Sequence, residues 1–99
     1  MKNFRSLNLA IKFNHECRCL KLRHTLKDQL LRAADSIALN LAEGRGKPTV
    51  KDQRKFFYIA FGSIRECQAV LMLEQMEDTP IWSMLDILAA HIYKLIQNS

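Results

Sequence analysis

Glycine and proline are scarce: three Gly and two Pro in 99 residues. A chain of many strands and tight turns needs more of both. Unbroken apolar runs are missing too, and nothing reaches the ~18 consecutive apolar residues of a membrane span. Lys2 is followed by Asn3, Phe4 and Arg5, so no secretory leader is expected. The three cysteines, Cys17, Cys19 and Cys67, cannot all pair within one chain. A reduced, cytoplasmic setting is the default expectation for such a chain.

Recognisable catalytic and metal-binding patterns are absent as well. Gly44-Arg45-Gly46 is too short for a nucleotide loop of the G-x-x-x-x-G-K-S/T kind. His15, Cys17 and Cys19 resemble a ligand set on paper. On a helix their spacing fans them over about 200°, so they cannot face one ion. His24 and His91 have no nucleophile or acid at a useful spacing. Glu43 and Glu66 could form an acid pair, but nothing in the sequence builds a cleft around them. The expectation is no enzyme, no metal and no cofactor.

What the chain has is helix signals and positive charge. Thr25-Leu-Lys-Asp28 and Thr49-Val-Lys-Asp52 both read as Thr caps with an acid three residues on. Thr79-Pro80 is a third start. Gly44 suits the left-handed residue after a helix, and Gly46 and Pro48 block continuation. The expected helices span 3–22, 25–43, 49–77 and 80–97 of a single domain covering 1–99. Short connections predict an all-α, antiparallel up-down-up-down four-helix bundle.

Two helices carry more apolar surface than one core face requires. In the second, Leu26, Leu30, Ala33, Ile37 and Leu41 form one stripe, widened by Leu31, Ala38 and Ala42. In the third, Phe57, Ala60, Phe61, Ile64, Cys67 and Leu71 form one stripe. Phe56, Ile59, Val70 and Leu73 form a second. The surplus predicts a subunit interface through Leu31, Ala38, Phe56, Ile59 and Val70. Scattered exposed apolar residues are the bland alternative.

Beside these stripes runs a polar line. Arg32, Ser36, Asn40 and Glu43 share one side of the second helix. Ser63 and Glu66 lie near the second stripe of the third. Antiparallel pairing would bring Arg32 towards Glu66 as an ion pair. The expected role is to fix helix registration, since buried polar groups must be hydrogen-bonded.

Charge is uneven. The formal net charge is +5. Residues 1–65 hold 14 of the 15 Lys and Arg and 5 of the 10 Asp and Glu. Arg45, Lys47, Lys51, Arg54 and Lys55 surround the turn between the second and third helices, and a bundle would add Lys2, Arg5 and Lys94 at that end. At the other end Arg18, Lys21, Arg23 and Lys27 would meet Glu74, Glu77 and Asp78. The first end is therefore the candidate surface for RNA or DNA, held by phosphate contacts with no base readout. Phe56, Phe57 and Tyr58, near the patch, could stack bases, although at helical spacing Phe56 and Phe57 are more often packing residues. A solvated surface that keeps a small protein soluble is the alternative.

Two segments, QLLRAADSIALNLAEGRGK and RKFFYIAFGSIREC, resemble the four-helix bundle family of bacterial proteins encoded in intervening sequences of large-subunit rRNA genes. Arg32, Ala33, Ser36, Ile37, Asn40, Ala42, Glu43 and Gly44 match its R-A-x-x-S-I-x-x-N-I-A-E-G pattern, with Leu41 in place of Ile. Ile59, Ala60, Gly62, Ser63 and Glu66 match its I-A-x-G-S-x-x-E segment. The resemblance covers roughly residues 25–75. The family's Phe-Pro linker before the second helix is replaced here by CRCLKLRHT. The fold is shared with the accessory variability determinant of diversity-generating retroelements. The resemblance thus implies a ring-shaped homo-oligomer, a pentamer, that binds nucleic acid and partners a reverse transcriptase. Two other readings stand beside it: a free-standing bundle of the rRNA intervening sequences, and a protein–protein adaptor without nucleic acid.

Overall fold

Residues 4–98 are described here in a computed structural model. They form four helices, α1 (Arg5–Arg18), α2 (His24–Arg45), α3 (Val50–Leu73) and α4 (Pro80–Gln97), and no strand. Each helix packs on two others, in the closed order α1, α2, α3, α4 and back to α1. The diagonal pairs α1–α3 and α2–α4 do not approach within 8 Å at Cα. The result is a four-helix bundle 40 Å long and 22 by 21 Å across.

The first stripes of α2 and α3 are core. Leu30, Ala33, Ile37 and Leu41 meet Phe57, Ala60, Ile64, Cys67 and Leu71, all buried. Phe13, Leu85, Leu88 and Ile92 complete the interior from α1 and α4. By length and composition α3 is apolar enough to cross a membrane, with a mean hydropathy of 1.3 over 18 residues. In the bundle its first stripe is turned onto α2 and α4.

Two caps form as the sequence predicts. Thr49 Oγ1 accepts from the Asp52 amide at 3.2 Å. Thr79 Oγ1 accepts from the Trp82 amide at 3.4 Å, with Pro80 in the first turn. Thr25 does not cap. Arg23 occupies that position, and the Lys27 amide donates to its carbonyl at 2.8 Å. The Arg23 guanidinium is tied to Glu74 at 2.9 Å, so the residue before α2 meets the end of α3.

Two helices are shorter than periodicity suggests. α1 ends at Arg18, four residues early. The Lys27 ammonium donates to the carbonyls of Arg18 and Leu20, taking acceptors that a longer helix would use internally. α3 ends at Leu73 instead of 77. Gln75 takes a left-handed φ of 56°. The Met76 amide then donates to the Leu71 carbonyl and the Gln75 amide to the Met72 carbonyl, the paired bonds of a Schellman stop. That position usually holds Gly, so the sequence carries no warning of it.

Gly44 is also corrected. It lies inside α2 with ordinary helical φ, and Gly46 is the cap. A Cβ on Gly44 would sit 2.8 Å from Phe57 Cε1 and 3.0 Å from Phe56 Cβ. Gly is needed because α3 comes too close for a side chain. At Gly62 a Cβ would meet nothing within 4 Å. The two glycines therefore give opposite expectations. Gly62→Ala should stabilise by up to about 1 kcal/mol through helix propensity. Gly44→Ala gains the same propensity but overpacks against a buried ring, at about 1–3 kcal/mol, and should be net destabilising. Urea midpoints of the two variants check the pair; a raised midpoint for Gly44→Ala would refute the close-approach argument.

Candidate nucleic-acid interface

The turn between α2 and α3 is held from both sides. The Thr49 cap starts α3, and Gln53 Nε2 donates to the Lys47 carbonyl at 2.9 Å. The first turns of α3 are thereby fixed relative to the end of α2. Phe4, just before α1, lies 6.5 Å from Phe57 in ring-centroid distance, so the start of α1 sits at this same end. Arg5 is exposed beside it.

The five turn cations then divide by role. The Arg45 guanidinium lies over the Phe4 ring, 4.9 Å from its centroid. The Lys47 ammonium lies 5.2 Å from the Phe56 centroid and 3.2 Å from a Glu43 oxygen. Both are partly engaged with the bundle. Lys51, Arg54 and Lys55 are exposed and share one face of α3 by i+3 and i+4 spacing. With Asp52 and Tyr58 they line a shallow groove. Lys51 and Lys55 form no ion pair with any described residue. Lys2 lies outside the described residues.

At the other end the expected meeting of charges is partial, and Lys21, Glu77 and Asp78 join no ion pair among the described residues. Arg23 pairs with Glu74 at 2.9 Å, and Lys27 is drawn into the backbone of the α1–α2 connection. On the α1–α2 flank Arg18 reaches Asp35 at 3.3 Å. The α3 start is the stronger concentration of exposed positive charge.

The polar line is brought together in part. Ser63 Oγ donates to Ser36 Oγ at 2.8 Å, a bond between α3 and α2. Asn40 Nδ2 donates to the Ser36 carbonyl at 2.9 Å and to its hydroxyl at 3.1 Å. These three residues are the network. Arg32 and Glu66 are both exposed and make no salt bridge with each other. Glu43 turns to Lys47 instead.

A second polar cluster was not expected from sequence. Asn14 Nδ2 donates to Asp35 Oδ1 at 2.7 Å, and Arg18 Nε donates to Asn14 Oδ1 at 2.9 Å. Asn14 is buried, one residue from Phe13 and three from Cys17 on the apolar face of α1. That placement was the available signal. Asp35 has none, because α2 alone does not show which of its sides α1 will cover.

The five interface candidates also separate. Leu31 and Ala38 are half-buried against the core of their own bundle, and Phe56 is half-buried beneath Lys47. Val70 is 4% exposed and belongs to that core, leaving no side-chain surface for another subunit. Ile59 stays 47% exposed. His15 and Cys19 are exposed while Cys17 is buried, so the H-x-C-x-C spacing assembles no common site. Among the described residues no three His, Cys, Asp or Glu side chains are grouped for a metal ion.

No curated protein and no solved structure matches the chain significantly. A family model described as 23S rRNA-intervening sequence protein matches residues 3–80. That span takes in α1, α2, α3, the connections between them and the start of α4, including the Ser36–Asn40–Ser63 network and the basic turn. The chain belongs to the 23S rRNA-intervening sequence protein family.

Proposed function

We propose that this protein is a non-enzymatic, cytoplasmic nucleic-acid-binding bundle that works as a homo-oligomer. The observation that carries the reading is the row Lys51, Arg54 and Lys55 on one outward face of α3, when the opposite end has Arg23 bound to Glu74. Phosphates need only positive side chains at helical spacing, with no base recognition. Binding should therefore tolerate any sequence, and its logarithm should fall linearly with the logarithm of salt concentration. Fluorescence anisotropy with two unrelated oligonucleotides across 50–300 mM salt tests it. Equal affinities and a steep slope support the reading; no binding at 50 mM salt rejects it.

The helix directions in this reading are antiparallel, up-down-up-down. The contact of Gly44, late in α2, with Phe57, early in α3, supports it, as does Arg23 before α2 meeting Glu74 after α3. Oligomerisation rests on exposed apolar side chains: Leu39, Ile59, Met72 and Leu73 are each 47–68% exposed. A ring of subunits, a pentamer by resemblance, would cover them. Ile59→Asp should leave the monomer folded, because the residue is exposed there, and dissociate the assembly by burying an unpaired charge. Sedimentation at micromolar concentration reads the result, and a monomeric wild type would end the proposal.

The finer role we propose is handling RNA or cDNA beside a retroelement reverse transcriptase, which rests on the resemblance to the accessory variability determinant. The family match favours a second reading, a free-standing intervening-sequence protein without that partner. Co-purification with a reverse transcriptase encoded beside it separates the two.

A further inference from the structure

Three aromatic residues follow Lys55 in sequence, and the fold gives them different surroundings. Phe57 is 4% exposed in the core. Phe56 is half-buried and has the Lys47 ammonium over its ring. Tyr58 is 58% exposed and lines the same groove as Lys51, Arg54 and Lys55. Positions 51, 54, 55 and 58 follow the i, i+3, i+4, i+7 rule, so one side of the helix carries three cations and then a ring.

The face continues beyond the ring. Gly62 is one turn on, exposed, with open space where a side chain would be. Arg65 follows on the same side. Its guanidinium is held over the Phe61 ring at 4.8 Å and bonded to Gln68 at 2.8 Å. From Lys51 to Arg65 the face runs about 21 Å at the helical rise. Among the residues lining the groove the one carboxylate is Asp52, at the edge near the Thr49 cap, and exposed Glu66 borders the far end of the face beside Arg65. A solvent-facing ring bordered by cations, with an exposed glycine one turn beyond it, matches what an unpaired base and its backbone require.

Resting on the nucleic-acid reading above, we infer that Tyr58 is a stacking residue and that this face of α3 selects single-stranded over double-stranded nucleic acid. In a duplex the base faces are covered by their neighbours, so a protein ring gains nothing from them. Lys51 and Lys55 attract both forms through phosphate, and Tyr58 discriminates between them.

The test uses the full chain with a single-stranded 20-mer carrying one 2-aminopurine, and the same 20-mer in duplex form. Wild type should bind the single strand more tightly and change its 2-aminopurine fluorescence by stacking. Tyr58→Ala should weaken single-strand binding by ~5- to 100-fold and duplex binding by less than ~2-fold, the size expected for losing one stacked base. Tyr58→Phe should keep both the affinity and the fluorescence change, since the ring face is retained. Exposure makes loss of folding an unsuitable explanation, and an unchanged thermal melt confirms that the variants are intact. If Tyr58→Ala weakens neither form, or both equally, the stacking role is overturned although the salt-dependent binding of wild type stands. If wild type binds neither form at 50 mM salt, both proposals fall together.

Discussion

On the proposed reading, replacing Lys51, Arg54 and Lys55 together by Gln should lower affinity for RNA and DNA alike, by on the order of 100- to 1,000-fold at 0.1 M salt. The size follows from counterion release, where each phosphate contact contributes a slope of about 0.7 to 0.9 in the log–log salt plot. Three lost contacts flatten that slope by about 2 to 3. The fold should survive, because all three side chains are exposed and the Thr49 cap and Gln53 bond that start α3 are untouched. Charge removal at Arg23 should matter much less to binding, since Glu74 already neutralises it. In an oligomer the patch repeats, so a strand long enough to reach two subunits should show a larger loss than a short one. A triple variant with unchanged affinity and unchanged salt slope would mean that the row is a solubilising surface only.

Raising the pH from 8 to 10.5 should destabilise the wild type by about 4 kcal/mol through two thiols. Cys17 and Cys67 are wholly buried. Burial pushes the Cys17 thiol from its ordinary 9.0 up to about 12, with Lys27 opposing, Glu16 adding and Arg18 opposing. Burial also raises Cys67, reinforced by Cys17 and Glu66. Above pH 9 the unfolded chain releases these protons and the folded chain keeps them. The unfolded state then binds fewer protons, so stability falls as pH rises, at about 1.4 kcal/mol per pH unit per thiol until the folded thiols also ionise. Disulfide formation between the two does not intervene, because α1 and α3 stay more than 8 Å apart at Cα. Urea melts from pH 8 to 10.5 measure the effect against Cys17→Ala/Cys67→Ala, which should lose much less over that range. Parallel curves for the two proteins would contradict the buried-thiol account. In the native protein at pH 8 only the exposed Cys19 should react with an aromatic disulfide reagent.

Much of this architecture is legible in the sequence because its signals are local. A Thr cap depends on the next three residues, and a core stripe depends on spacing of about 100° per residue. Thr49, Thr79, the Leu30-to-Leu41 stripe and the basic turn could all be found that way. The failures share a cause. Thr25 has the cap pattern, yet α2 starts at His24 with Arg23 in the cap position. Gln75 ends α3 in a conformation that its residue type does not announce. Val70 has the spacing of a surface stripe and is buried in the core.

The sequence by itself determined the helical class, the family, the uneven charge and the presence of a polar line inside an apolar surface. Tertiary structure alone decided which members of that line touch. Ser36, Asn40 and Ser63 meet, whereas Arg32 and Glu66 do not, because their distance depends on the register between two helices. It gave Gly44 its purpose, a close approach of Phe57 and not a helix stop. It separated three consecutive aromatics into a core residue, a cation-covered ring and an exposed one. Periodicity is a property of one helix, while burial, pairing and exposure are properties of two or more, and only the packed bundle fixes those.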